Sequence, residues 1–372
     1  MKELSRRELL GAVAATAVGA AVVGELPGGA ETQRGAAPAP TRAVAGRPAD
    51  EPFGYCLNTS TLRGNQLDIV AEIAIAAKAG YHAIEPWTNE MDAYVQNGGT
   101  LKDLGQRIKD AGLVVENVIA FNSWLSDDDA TRAAGMETIK VNMDKAAQIG
   151  AKHIATTPGG GGGGRGARGA GSGGGRAGGG AAPAAGAGGG AATPGAVPAA
   201  AGPAPQPAAP VSLDNAAKYY REALELGRKM GVLPLCELWS SNAVLGPLAH
   251  GAYVAIATGD PDASLLLDIV HLYRSGTNFE GLRQINGASL HIFHVNDYPQ
   301  ADDPARITDA QRVYPGDGIA PLNTIFRALR DNGFRGYLSL ELFNQEYYKK
   351  PPDENAKMGI DKIRAAVKKA LA

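Results

Sequence analysis

From residue 53 onward the apolar positions alternate between two spacings. Short β-prone runs occupy 53–57, 83–87, 114–120, 153–157, 232–237, 264–270, 289–295 and 337–342. Between them the spacing is helical. Leu67, Ile69, Val70, Ile73 and Ile75 precede Gly80, and Ala216, Tyr219, Ala223, Leu224 and Leu226 precede Gly231, with neighbours three and four apart sharing one helix face. Ala79-Gly80, Ile149-Gly150, Met230-Gly231 and Asn332-Gly333 each offer a glycine for a left-handed C-cap. Strand followed by helix eight times over predicts a parallel sheet, and eight units favour closure into a (β/α)8 TIM barrel over an open doubly wound sheet. No Gly-x-Gly-x-x-Gly turn follows the first run, so a dinucleotide fold lacks its main signature.

Three segments stand outside this alternation. Residues 1–30 carry Ser5-Arg6-Arg7-Glu8-Leu9-Leu10, an Ala/Val/Gly run to Val23 and a small-x-small site at Gly28-Gly29-Ala30. This is the pattern of a twin-arginine signal peptide, and it predicts passage through the Tat export machinery to a periplasmic or secreted destination. The apolar run falls short of the roughly 20 residues of a comfortable membrane span. Residues 31–51 read as a linker. The Gly/Ala/Pro tract at 159–210, directly after the fourth β run, has little to bury against its ordering entropy and is expected to be a disordered insertion. Removing all three leaves roughly 270 residues between 52 and 372, close to the ~250 of a typical barrel.

A formal net charge of -2 over 372 residues gives no basic footprint for nucleic acid. Cys56 and Cys236 lie within strand-like runs and read as small core residues. In a (β/α)8 barrel the active site is built at the C-terminal strand ends, and those ends are polar here. They present Asn58, Glu85 with Trp87, Asn122 with Trp124, Glu237, Asp268 with His271, His294 with Asn296 and Asp297, and Glu341. Glu237, Asp268, His294 and Glu341 come from four consecutive strands. Three carboxylates and one imidazole suit a single hard divalent cation, Mn2+ or Mg2+ first, with Co2+ and Zn2+ as further candidates. No strand ends in Lys or Arg, so the acidic cluster is expected to need that cation. By alternation His294 faces inward and His291 faces the helices. His82, His153 and His250 read as structural histidines, and Trp87, Trp124 and Trp239 suit stacking on a sugar face at the rim.

Leu-Cys-Glu237-Leu-Trp, Leu-Leu-Asp268-Ile-Val-His271, His-Ile-Phe-His294-Val-Asn-Asp297 and Ser-Leu-Glu341-Leu-Phe together resemble the metal motifs of the xylose-isomerase-like sugar isomerase/epimerase superfamily, which includes ketose 3-epimerases and inosose dehydratases. The resemblance runs from Pro52 to the C-terminus apart from the Gly-rich tract. It implies that Glu237 and Glu341 double as ligands and as the acid/base pair. It also implies that His271 and Glu85 meet substrate hydroxyls, with Asp297 and Trp239 in the same substrate-binding set. The epimerases carry an Arg shortly after the metal His, where this chain has Tyr298-Pro299-Gln300, and Arg306 and Arg312 are the candidates to replace it. Endonuclease IV, a DNA-repair relative with a multi-zinc cluster, needs histidines that the exits of strands two and three do not supply.

The implied reaction is proton transfer next to a carbonyl of a keto-sugar or cyclitol. Epimerisation, isomerisation and dehydration share that first step, and the sequence does not separate them. A non-catalytic exported sugar-binding protein is the other reading, and a paired Glu237 and Glu341 argue against it.

Overall fold

A computed structural model describes residues 51–158 and 210–372. The expected signal peptide at 1–30, the expected linker before Glu51 and the Gly-rich tract before Pro210 lie outside the described residues. Within them, eight parallel strands alternate with helices: β1 (Gly54–Asn58), α1 (Ile69–Ala79), β2 (Ala83–Glu85), α2 (Thr88–Gln96), α3 (Leu101–Asp110), β3 (Asn117–Val118), α4 (Asp129–Gln148), β4 (His153–Thr156), α5 (Leu213–Met230), β5 (Leu233–Glu237), α6 (Leu248–Ala257), β6 (Leu265–Asp268), α7 (Ile269–Arg274), β7 (Leu290–Val295), α8 (Leu322–Asp331), β8 (Tyr337–Leu340) and α9 (Pro352–Leu371).

Local chemistry sets the helix boundaries. The Asp68 side chain accepts the Ala71 N–H to start α1, and Gly80 closes it at φ 92. Ser212 and Gly231 (φ 75) do the same for α5, which satisfies backbone groups that a helix leaves without partners at its ends.

Strand order is β2-β1-β8-β7-β6-β5-β4-β3, so every strand has its barrel neighbours except across β2 and β3. Isolated parallel bridges, Ala83↔Val114 and Trp87↔Ile119, join that seam. The β-prone run 114–120 therefore yields a strand of two residues, Asn117 and Val118, paired with His153 and Ile154 of β4.

The barrel is a TIM barrel with two cores. Cys56, Ala83, Ile119, Ala155, Leu235, Leu266, Ile292 and Tyr337 fill its interior. Leu57, Ile84, Val118, Ile154, Cys236, Leu267, Phe293 and Leu338 face the helices and form the outer core. Both cysteines are free and buried, as the sequence led us to expect.

One alternation fails, and it corrects the reading of His291. Leu265 pairs with Leu290 but Leu267 pairs with Phe293. The extra β7 residue is a bulge, and two consecutive side chains can then share a face. Leu290 and Phe293 pack in the outer core while Ile292 lies inside. His291 also turns inward and stacks on His153, with ring centroids 4.0 Å apart. It does not face the helix layer.

Candidate metal and substrate site

The interior apolar layer is capped, at the C-terminal ends of the strands, by a polar layer. Glu85, Glu237, Asp268, His294 and Glu341 are all buried there. Asp268, His294 and Glu341 each offer a ligand atom within 4.8 Å of the others. His294 Nδ1 lies 3.3 Å from Glu341 Oε2 and 4.0 Å from Asp268 Oδ2.

Glu85 is fully buried. It lies 3.1 Å from His294 Nε2, and it accepts hydrogen bonds from Asn58 (2.8 Å), Asn117 (2.7 Å) and Ser339 (2.7 Å). With Nε2 held by this carboxylate, Nδ1 is the nitrogen left to bind a cation, the arrangement that commonly orients a metal-bound histidine. Asn58 is itself held by the Trp87 indole N–H at 2.8 Å.

Asp268 ends β6 and caps α7, accepting the His271 N–H at 2.9 Å. The immediate turn into α7 brings His271 back over the strand ends, where Nδ1 meets Ser240 Oγ at 3.1 Å. Asn296, a residue the sequence placed at the rim without a role, donates to Asp268 Oδ2 at 2.7 Å and accepts the Val270 N–H. Trp239 bonds Glu237, is half-buried, and stands edge-on to Phe121 with centroids 5.7 Å apart. Trp124 is fully buried against Tyr220 and does not reach the rim.

The acidic cluster already holds one cation. Arg312 Nη1 donates to Asp268 Oδ2 at 2.8 Å and to Glu341 Oε2 at 2.6 Å, and the residue is 1% exposed. Strand ends alone could not reveal this, because Arg312 arrives on the long loop after β7. Asp297 holds that loop: its carboxylate accepts the backbone N–H groups of Tyr298, Gly316, Gly318 and Ala320 at 2.8–3.1 Å. Asp297 and Val313 also form an antiparallel bridge, which fixes the residue next to Arg312. Asp309, not singled out from sequence, contacts the same guanidinium at 3.0 Å. Arg306 is exposed in a short 3-10 turn and stays outside this cluster.

The charges set the protonation of the chain alone. Burial pushes Glu237 up to about 8, with the nearby Glu341 adding to it against the opposing pull of His294. Burial acts the same way on Glu341, but His294 and Arg312 overcome it and hold that carboxyl well below the usual range. Burial would lower His294, yet Glu341 and Glu85 raise it well above its ordinary value. His271 is depressed, chiefly by burial.

A divalent cation fits these residues. Glu237 Oε2 is buried without a hydrogen-bond partner, an expensive condition unless something binds it, and His294 Nδ1 meets only the carboxylates of Glu341 and Asp268.

Residues 73–366 match a family model described as a xylose isomerase-like TIM barrel. The chain belongs to that family. Among curated relatives, an inosose isomerase of Bacillus velezensis is 36% identical over 114 residues, which is 30% of this chain and 40% of the relative. A second, from Halalkalibacterium halodurans, is 32% identical over 40% of this chain and 52% of its own length. The chain thus aligns with about half or less of each of these xylose isomerase-like relatives. A crystal structure of the IolI protein with a bound zinc atom superimposes with a TM-score of 0.68 at 19% identity, covering 86% of this chain and 99% of that one. At that identity the likeness shows the fold.

Proposed function

We propose that the chain is a divalent-metal-dependent isomerase or epimerase of a keto-sugar or cyclitol. The observation that carries it is Glu237 Oε2, buried without a hydrogen-bond partner, in the same buried layer as the Asp268, His294 and Glu341 ligand atoms that lie within 4.8 Å of one another. The inosose isomerase relatives support the cyclitol half of the reading.

Glu237, Asp268, His294 and Glu341 would hold the metal, with Mn2+ or Mg2+ first and Zn2+ or Co2+ as alternatives. Bound there, the cation supplies Lewis-acid polarisation of a carbonyl. The chain's own residues do the rest. Glu237 on β5 and Glu341 directly after β8 serve as the acid/base pair on the carbon next to that carbonyl. Arg312 and His271, whose Nη2 and Nε2 are 3.5 Å apart, bind substrate oxygens. Trp239, with Phe121 beside it, covers a sugar ring face and excludes water. Glu85 acts through His294 as a positioning residue.

Incubating the purified chain with an inosose or ketose in D2O tests the reading. Deuterium is expected at the carbon next to the carbonyl, lost on EDTA treatment and restored by Mn2+. Exchange that persists in EDTA, or none with any metal and any keto-sugar, overturns it. Glu85→Gln is expected to weaken Mn2+ affinity about 10- to 100-fold, as loss of an outer-shell partner does. Titration calorimetry reads this, and unchanged affinity would show that His294 needs no such support.

A further inference from the structure

The opposite end of the barrel carries a second convergent cluster, made of residues that the proposed reaction does not use. Glu116, immediately before β3, His153 at the start of β4 and His291 on the β7 bulge each place a ligand atom within 4.8 Å of the other two. His153 Nδ1 lies 3.3 Å from Glu116 Oε1. Glu116 is fully buried and His153 nearly so. The Lys152 amine reaches Glu116 at 3.3 Å from a half-exposed position. Ser264 Oγ, just before β6, lies 3.1 Å from His291 Nε2.

We propose that Glu116, His153 and His291 form a second divalent-cation site, of the zinc class, on the floor of the barrel. Two imidazoles and one carboxylate are a borderline donor set, the ligand count of an open tetrahedral zinc site. The cluster at the strand exits is oxygen-rich by contrast, so the two ends select different metals. The imidazole faces stack at 4.0 Å. His153 Nδ1 also lies 3.1 Å from the Glu116 carbonyl oxygen, and a ring whose one nitrogen is held in this way can ligate through the other. Ser264 supplies the outer-shell partner that orients a ligating ring.

Position gives the site its role. Ala155, Leu235, Leu266 and Ile292 form an apolar layer inside the barrel, and on β7 Ile292 stands between His291 below and His294 above, which isolates the floor from the exit cluster. An ion there ties the β3–β4 side of the sheet to β7 across the barrel, beside the β2/β3 seam that only isolated bridges close. Its function is to brace the fold.

The test equilibrates the full chain with Zn2+, removes loose ions on a desalting column and counts zinc per chain. His291→Ala and Glu116→Gln are expected each to bind one equivalent less than the parent, whatever the exit cluster holds. The rise in melting temperature that zinc gives the parent should shrink in both, because ligand that binds only the native state stabilises it. Cobalt substitution should show intense four-coordinate visible bands that both variants lose. Equal zinc content in parent and variants, or an unchanged zinc-dependent melting shift, overturns the proposal. Should His291→Ala fail to fold by circular dichroism, Glu116→Gln, which keeps size and a polar group, decides it alone.

Discussion

Glu341→Gln is expected to cut turnover by about 10²- to 10⁴-fold, the usual contribution of a general acid/base group, while part of the metal stays bound. Glutamine keeps the side chain's length and one carbonyl oxygen but has neither the charge nor a basic carboxylate. The surroundings make the position sensitive. Oε2 of Glu341 meets both the Arg312 guanidinium and His294, and Asn58 lies 3.3 Å from Oε1. Steady-state rates measured alongside metal content read the result. If Glu341 only holds metal, activity follows occupancy and returns under saturating Mn2+. Full recovery would leave Glu237 to act with another partner.

Arg312→Met is expected to lower the melting temperature of the metal-free protein by about 6 to 20 °C. Removing one partner of a buried ion pair costs about 3–5 kcal/mol, and each kcal/mol moves a domain of this size by about 2–4 °C. The cost arises because Asp268 and Glu341, bonded to one guanidinium nitrogen, would lose that shared donor and keep only His294 beside them. Saturating divalent metal should recover much of the loss, since a bound ion neutralises the same two acids. Calorimetric scans with EDTA and with Mn2+ check this. An identical drop under both conditions would show that Arg312 and the cation do not share the cluster's charge.

The barrel was legible from residue spacing because each strand and each helix repeats its own period. Seven of the eight strands lie within the runs marked by apolar patterning and β1 runs one residue past its own, to Asn58, and the polar strand ends gather at one mouth. What the pattern could not show lies where backbone irregularity or a loop intervenes. The β7 bulge breaks the two-residue period that assigned His291 to the helix layer, and no residue type in Leu-His-Ile-Phe-His announces it. The Arg312 contact spans 44 residues to Asp268 and 29 to Glu341, a separation that strand-end counting does not see. The roles of Glu85 and Asp297 turned on their partners. A buried carboxylate aimed at an imidazole and one ringed by backbone amides look the same in sequence as a carboxylate facing substrate.

The Asp297 carboxylate clasps the loop at its two ends and leaves the middle alone. A Cβ on Gly318 would come within 2.3 Å of Asp297 Oδ1 and of the Tyr298 carbonyl, and Gly316 sits at φ 94, so Pro-Gly-Asp-Gly at 315–318 is fixed by geometry. Between Pro299 and Gln311 the chain makes only short 3-10 turns, most of them exposed. Because Arg312 takes its position from the Asp297–Val313 bridge and from Asp309, only the part of that stretch before the buried Ile307, 299–306, is uncoupled in length and composition from the guanidinium. The loop is thus divided into a constrained clasp and a permissive span. Relatives, or a designer, can lengthen, shorten or recharge the span to meet a new substrate at the mouth while the guanidinium stays where the acids require it.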